Sequence, residues 1–203
     1  MKSNCYKKAF IFGIIFLFLG SGFVSAHNGI NYSSEPIVTD DTEDVIGLLA
    51  FLFPQEKIAF LDIESALFFE NPDEPDYLYA SIKFVELTMK KWHTIYSIIC
   101  EYNGEIYYLS VHYREYGAVA TYSTLHGEYT EIITGTFDVD KDIITFIIPK
   151  KSIGNPQPGD MLKKPQVLTS LRPFKRDHPL LLRIFGEVGK DYAASDNNYV
   201  ILY

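Results

Sequence analysis

Carboxylates crowd one short stretch of this chain: Asp40, Asp41, Glu43 and Asp44 fall within five residues. Calcium takes several hard oxygen ligands from carboxylates and backbone carbonyls, and acids this closely spaced in a loop can supply them. The same run also reads as a solvated turn that caps the segment after it. Two further acids, Asp191 and Asp196, join the set if the fold lays the tail beside residues 40–44. The candidate ligands for a structural calcium are therefore Asp40, Asp41, Asp44, Asp191 and Asp196. The spacing is not that of an EF-hand loop.

A second constellation lies in residues 105–114. Strand alternation puts Tyr107, Leu109, Val111 and Tyr113 on one face, and Tyr108, Ser110, His112 and Arg114 on the other. Apolar sugar faces stack on aromatic rings while their hydroxyls bond to charged or imidazole groups. Tyr108, His112 and Arg114 are thus candidate ligand-binding residues, for a saccharide in particular. Tyr96, Tyr102 and Tyr122 extend that face if they point the same way; otherwise the tyrosines serve only cross-strand packing.

Patterns for catalysis are missing. The chain has no G-x-S-x-G elbow, H-E-x-x-H, C-x-x-C, P-loop or G-x-G-x-x-G. His112 and His126 are isolated, and nothing selects a glycosidase-like pair from Glu64, Glu70, Glu86 and Glu101. Cys100 sits between apolar neighbours without a histidine to activate it, so it reads as a small core residue. No catalytic residue is assigned, and the expectation is a non-catalytic protein.

The elements that must position these groups begin after an export signal. Lys2, Lys7 and Lys8 precede an apolar run over residues 9–19, and Val24, Ser25 and Ala26 supply a signal-peptidase site. A spanning helix needs about 20 apolar residues, so cleavage after Ala26 is favoured over an uncleaved anchor. The expected organisation is a signal peptide over residues 1–26, an exposed leader over 27–35 and one domain over 36–203. Asn31-Tyr32-Ser33 fits a glycosylation acceptor. The expected location is secreted or cell-surface, by a Sec-type route.

The chain has 203 residues, 47% hydrophobic and 22% charged, with a net charge of −8 that becomes −11 without the leader. That acidity repels phosphate backbones and anionic headgroups, so nucleic acid is not an expected partner and a membrane is met only through an uncleaved N-terminal segment. Eight basic residues (Lys150, Lys151, Lys163, Lys164, Arg172, Lys175, Arg176 and Arg183) cluster late in the chain, either for solubility or for an acidic partner.

Period-2 segments at 59–70, 77–87, 94–102, 105–113, 119–125, 129–138, 143–148, 179–185 and 198–203 predict about nine strands. Leu61, Ile63, Leu67 and Phe69 are expected on one face of the first, and Leu78, Ala80, Ile82 and Phe84 on one face of the second. Asn103-Gly104 predicts a tight hairpin and Asp140-Lys141-Asp142 another turn. Residues 44–53 fit one helical turn or a buried strand. The fold class is therefore all-β, an antiparallel β-sandwich with jelly-roll or immunoglobulin-like layering.

Three stretches carry a resemblance: Asp40–Asp44 before a strand holding Asp62-Ile63; Ile147-Ile148-Pro149 leading to Gly154-Asn155-Pro156-Gln157-Pro158-Gly159-Asp160; and Asp191-Tyr192-Ala193 with Ser195-Asp196. Their order resembles secreted archaeal and bacterial β-sandwich domains similar to the DOMON and family 9 carbohydrate-binding modules. The resemblance implies a non-catalytic extracellular module that binds sugar or, in some relatives, haem, often with a structural calcium. Trp92 is the single tryptophan, whereas such sugar modules clamp ligand between several, and Met89 and Met161 have no histidine at a telling spacing. The functional expectation is an exported binding or assembly module whose partner is a polysaccharide or a cell-surface protein. The alternative is a structural or protein-interaction domain with no small ligand.

Overall fold

Alternation of apolar and polar side chains, with Ile, Val, Tyr and Thr abundant, drives this chain into strands. The structure is a computed structural model describing residues 35–88, 93–114, 117–124, 131–172 and 189–203, all within one compact unit. Its strands are β1 (Val38–Thr39), β2 (Ile63–Phe69), β3 (Tyr77–Phe84), β4 (His93–Tyr102), β5 (Glu105–Arg114) and β6 (Gly117–Thr124). They continue with β7 (Glu131–Asp138), β8 (Ile143–Pro149), β9 (Met161–Arg172), β10 (Gly189–Ala194) and β11 (Tyr199–Val200). One short helix, α1 (Leu48–Leu52), and 3-10 turns at Gln55–Lys57 and Lys150–Ile153 complete the described elements.

The expected all-β, antiparallel class holds. The strands make one continuous ladder in the order β1-β2-β3-β8-β7-β6-β5-β4-β9-β10, with β11 added to β9. This differs from the two separate sheets of a sandwich, and the reason lies in β7. Its residues 131–133 pair with β6 while residues 134–138 pair with β8, so one strand joins both halves. The result is a curled, nearly closed sheet around a single core.

That core draws one face of every long strand inward. Ala66 and Phe68 from β2, Ile82 and Phe84 from β3, Ile98 from β4, Val111 from β5, Phe146 from β8 and Val167 from β9 share one cluster. Full burial of each of these side chains larger than alanine contributes roughly 1.5–3 kcal/mol. Tyr96 on β4 meets Phe84 on β3 edge-on, with ring centroids 5.0 Å apart, although these strands are not hydrogen-bonded neighbours. The two halves of the ladder therefore touch through their side chains. A smaller cluster of Val45, Leu49, Ile58, Phe60, Leu61 and Leu171 packs beneath α1.

Several local expectations hold. Asn103 and Gly104 both have positive φ (51° and 84°), the type I′ geometry whose twist matches the flanking strands, and Tyr102 pairs with Glu105. Leu78, Ala80, Ile82 and Phe84 are all buried on β3, and Cys100 is buried in the core, its thiol pushed up to about 12 by burial.

Others are corrected. A register shift between Ile63 and Ser65 adds a residue to β2, so the core face becomes Ile63, Ala66 and Phe68 rather than Ile63, Leu67 and Phe69. Of the two readings of residues 44–53, the helical turn holds and the buried strand does not: they contain α1, with Phe51 86% exposed. The predicted strand at 179–185 lies outside the described residues. Three strands, β1, β9 and β10, were not expected.

Candidate functional site

The ladder closes through a short seam. Val38 and Thr39 pair with Ala66 and Ser65 of β2, and the Asp40 N–H donates to the Glu64 carbonyl (3.2 Å). Further on, Ile46 exchanges both backbone hydrogen bonds with Lys190 of β10 (2.8 and 2.9 Å). Residues 38–46 thus pass from one end strand to the other, and the acids of residues 40–44 sit in that passage. Asp191 follows Lys190 on β10 and alternates inward, while Asp62 immediately precedes β2.

Asp40, Asp44 and Asp191 each offer a carboxylate oxygen, and these atoms lie within 4.8 Å of one another. Asp191 is 2% exposed; its Oδ2 accepts the Ile63 N–H and its Oδ1 the Tyr192 N–H, both at 2.7 Å. Its own N–H donates to Thr169 Oγ1 (3.2 Å), whose hydroxyl in turn donates to the Leu61 carbonyl (2.6 Å). Asp62, 1% exposed, accepts the Glu43 N–H on Oδ2 (2.8 Å), across a loop that bends at Glu43 with φ 69°. Asp62 Oδ1 and Asp40 Oδ2 are buried without a hydrogen-bond partner.

Burial sets the electrostatics here. Together with the smaller push of the negative Asp44 and Asp40 charges, it raises the Asp191 carboxyl to about 7, against the pull of its two backbone N–H donors. It raises Asp40 to about 6, with the Asp44 charge next in weight, and raises Asp62 as well. Among the described residues, no lysine or arginine forms an ion pair with any of these four acids. Hard, closely spaced oxygen donors without a counter-charge suit a hard cation.

The five predicted metal ligands divide accordingly. Asp40, Asp44 and Asp191 converge. Asp41 is exposed and gives only its backbone N–H to Asp40 Oδ1 (3.1 Å), and the exposed Asp196 follows the end of β10. Neither belongs to the cluster among the described residues. Asp62, a buried neighbour of the cluster rather than one of its three members, was not expected, because a single acid before a strand has no spacing to mark it.

The predicted saccharide face is sparser than its sequence. Tyr108 and His112 do lie on the outward face of β5, both half-buried. Their neighbours across the strands are Ile99 and Ser123 for Tyr108, and Ile95 and Val119 for His112. Arg114 ends β5, and its side chain lies outside the described residues. Tyr96 and Tyr102 turn into the core and Tyr122 packs against it, so none extends the face. Tyr102 instead donates its hydroxyl to Asp160 Oδ2 (2.7 Å) in the Gly154–Asp160 loop.

The basic cluster is partly spent internally. Lys150 is buried; its Nζ pairs with Glu70 Oε1 at 2.6 Å and donates to the Tyr203 carbonyl. Glu70 Oε2 accepts the Tyr199 hydroxyl (3.1 Å) and the Leu202 N–H (2.6 Å), pinning residues 199–203 to the end of β2. Lys164 pairs with Glu101 at 2.9 Å. His126, Lys175, Arg176, Arg183, Met89 and Trp92 lie outside the described residues.

Beside the seam stands the densest exposed apolar segment among the described residues. Ile46 (55%), Leu48 (42%), Phe51 (86%), Leu52 (57%) and Phe53 (40%) are exposed, while Val45 and Leu49 anchor the segment below. No protein-family model and no curated protein matches the chain, so nothing in these comparisons links it to the DOMON or family 9 carbohydrate-binding modules.

Proposed function

We propose that this chain is an exported, non-catalytic module that works by binding another protein through residues 46–53. The observation that carries this reading is the five exposed apolar side chains within eight residues, Phe51 foremost. An isolated exposed leucine needs no explanation, but a contiguous apolar segment on a rigid base marks a contact surface. The exposed acids Asp41, Glu43, Asp44 and Glu56 flank it in the sequence. An apolar centre with acidic flanks fits a protein carrying an apolar patch ringed by Lys or Arg, and it disfavours an anionic lipid surface. Asp191 supports the non-catalytic part: both of its oxygens hold backbone N–H groups, as a strut does. The apolar run over residues 9–19 and the small residues before His27 support export. The frame itself we read as sandwich-like, two halves of one ladder enclosing a shared core.

A photocrosslinker at position 52, in cells that export the protein, should give one discrete protein adduct that Phe51→Ser abolishes. The same probe at exposed Asp73 should give none, and Phe51→Ser should melt like the wild type. Absence of an adduct, or one indifferent to Phe51→Ser, refutes the surface. Retention in the cytosol with residues 1–26 intact refutes export. The carbohydrate form rests on outward-facing Tyr108 and His112; glycan-array binding that Tyr108→Ala and His112→Ala abolish would displace the protein-contact reading.

A further inference from the structure

We propose that Asp40, Asp44 and Asp191, backed by Asp62, bind a hard divalent cation of the calcium class that locks the seam of the sheet. Two independent observations support the site. The first is geometric: three carboxylate oxygens, two from the 40–44 loop and one from β10, lie within 4.8 Å of one another. Calcium takes several carboxylate and carbonyl oxygens at about 2.3–2.6 Å in flexible geometry, whereas magnesium demands near-ideal octahedral geometry and keeps several of its waters, so a site built from clustered carboxylates suits calcium better.

The second is an orphaned polar group. Asp62 is 1% exposed, and its Oδ2 is fastened to the Glu43 N–H, which aims the carboxylate into the 40–44 loop. Its Oδ1 has no hydrogen-bond partner, and neither has the buried Asp40 Oδ2. A buried carboxylate oxygen left unpaired is costly, because it has given up water for nothing. A cation among Asp40, Asp44 and Asp191 gives the Asp40 carboxylate a positive partner and cancels the repulsion it shares with Asp44, Asp62 and Asp191, four acids that no described lysine or arginine pairs.

The position gives the ion a task. Asp40 lies where the passage leaves β2, Asp44 two residues before the Ile46–Lys190 pair, and Asp191 directly after that pair. One ion therefore ties the loop to β10 at the point where backbone pairing is thinnest. It also fixes the root of the exposed apolar segment, which starts at Ile46. Whether or not a protein docks on that segment, the ion's binding is measurable by itself.

The test uses the full chain after exhaustive chelation, with calcium chloride as the probe. Calorimetric titration should show one saturable site. At about one hundred times the dissociation constant, calcium should raise the melting midpoint by about 5–10 °C over the chelated protein. Asp44→Asn is the decisive variant, since Asp44 is exposed and the change leaves the core untouched. It should weaken calcium binding at least tenfold, yet melt no lower than the wild type in chelator because it removes like-charge repulsion. Asp41→Asn, an exposed acid outside the cluster, should keep both the affinity and the shift. Three results would overturn the site: no calcium heat and no shift at millimolar calcium; equal losses in Asp41→Asn and Asp44→Asn; or an equal shift with magnesium at the same concentration.

Discussion

Replacing Lys150 with methionine tests whether the buried ion pair holds the last residues in place. The Glu70 side chain is fully buried and that of Lys150 is 5% exposed, with 2.6 Å between Nζ and Oε1. Deleting one partner of a buried pair leaves an uncompensated charge and costs about 3–5 kcal/mol. Glu70 keeps three other donors, the Tyr199 hydroxyl and the Leu202 and Tyr203 N–H groups. Those charge-assisted bonds hold the loss near the lower end, about 3 kcal/mol. For a chain of this size that lowers the melting midpoint by roughly 6–12 °C. In urea the midpoint should fall by about 1–2 M with an unchanged slope.

Amide exchange adds a local readout: the Leu202 N–H, which donates to Glu70, should lose protection out of proportion to the rest of the sheet. The double variant Glu70→Gln/Lys150→Met should recover part of the loss, since a neutral amide still accepts from the tail without stranding a charge. Lys164→Met, which breaks the exposed pair with Glu101, should barely move the midpoint. The reasoning is refuted if Lys150→Met melts within about 2 °C of the wild type. It also fails if the double variant is no better than the single one.

Two further outcomes follow from the seam and its small cluster. Asp191 and Asp40, raised to about 7 and about 6 from 3.8, make the folded chain bind more protons than the unfolded chain between about pH 4 and 7, so stability without metal falls as pH rises through that window. Melting in EDTA should be several degrees higher at pH 5 than at pH 7.5, calcium should narrow or reverse the difference, and a chelated protein that gains stability with pH contradicts it. A Cβ on Gly189 would lie 2.9 Å from Leu61 Cδ1 and 3.1 Å from Leu49 Cδ1, so Gly189→Val should cost about 1–3 kcal/mol by overpacking, read by chemical denaturation, with an undisturbed midpoint as the refuting result.

Much of the sheet was legible because single-face burial writes a period of two into the chain. On β3, Leu78, Ala80, Ile82 and Phe84 alternate without interruption, and Asn103-Gly104 marks its hairpin by its demand for positive φ. Irregularity hid the rest. The register shift in β2 moved the core face by one residue, which no alternation rule can foresee. β9 contains Lys163, Lys164 and Pro165, residues that strands avoid; Lys164 has φ 49°, and the pairing with β4 shifts between Ile99 and Glu101. β10 reads Gly-Lys-Asp-Tyr-Ala-Ala, with little β preference of its own, and forms because β9 pairs with it along its length. At the site, Asp40 and Asp44 announced themselves by crowding. Asp191 was reachable only by supposing that the tail comes alongside. Asp62 and the partnership of Glu70 with Lys150 are tertiary facts, set by which strands meet.

The position of the acids is best understood from what closing such a sheet requires. A continuous ladder has two end strands, and here the first, β1, is only two residues long. Backbone pairing between the 38–46 passage and β10 amounts to the single Ile46–Lys190 bridge, too little to hold a seam by itself. The chain has supplemented it with side chains: Asp191 reaches from β10 to the Ile63 N–H of β2, and Asp62 reaches from before β2 to the Glu43 N–H of the passage. Each strut closes a gap that the ladder leaves, but each brings a carboxylate into a dry place beside others. Such an array calls for a positive charge to balance it, and no described lysine or arginine supplies one. The backbone struts therefore account for why the acids are buried, and the charge they leave uncompensated accounts for why a divalent ion belongs with them.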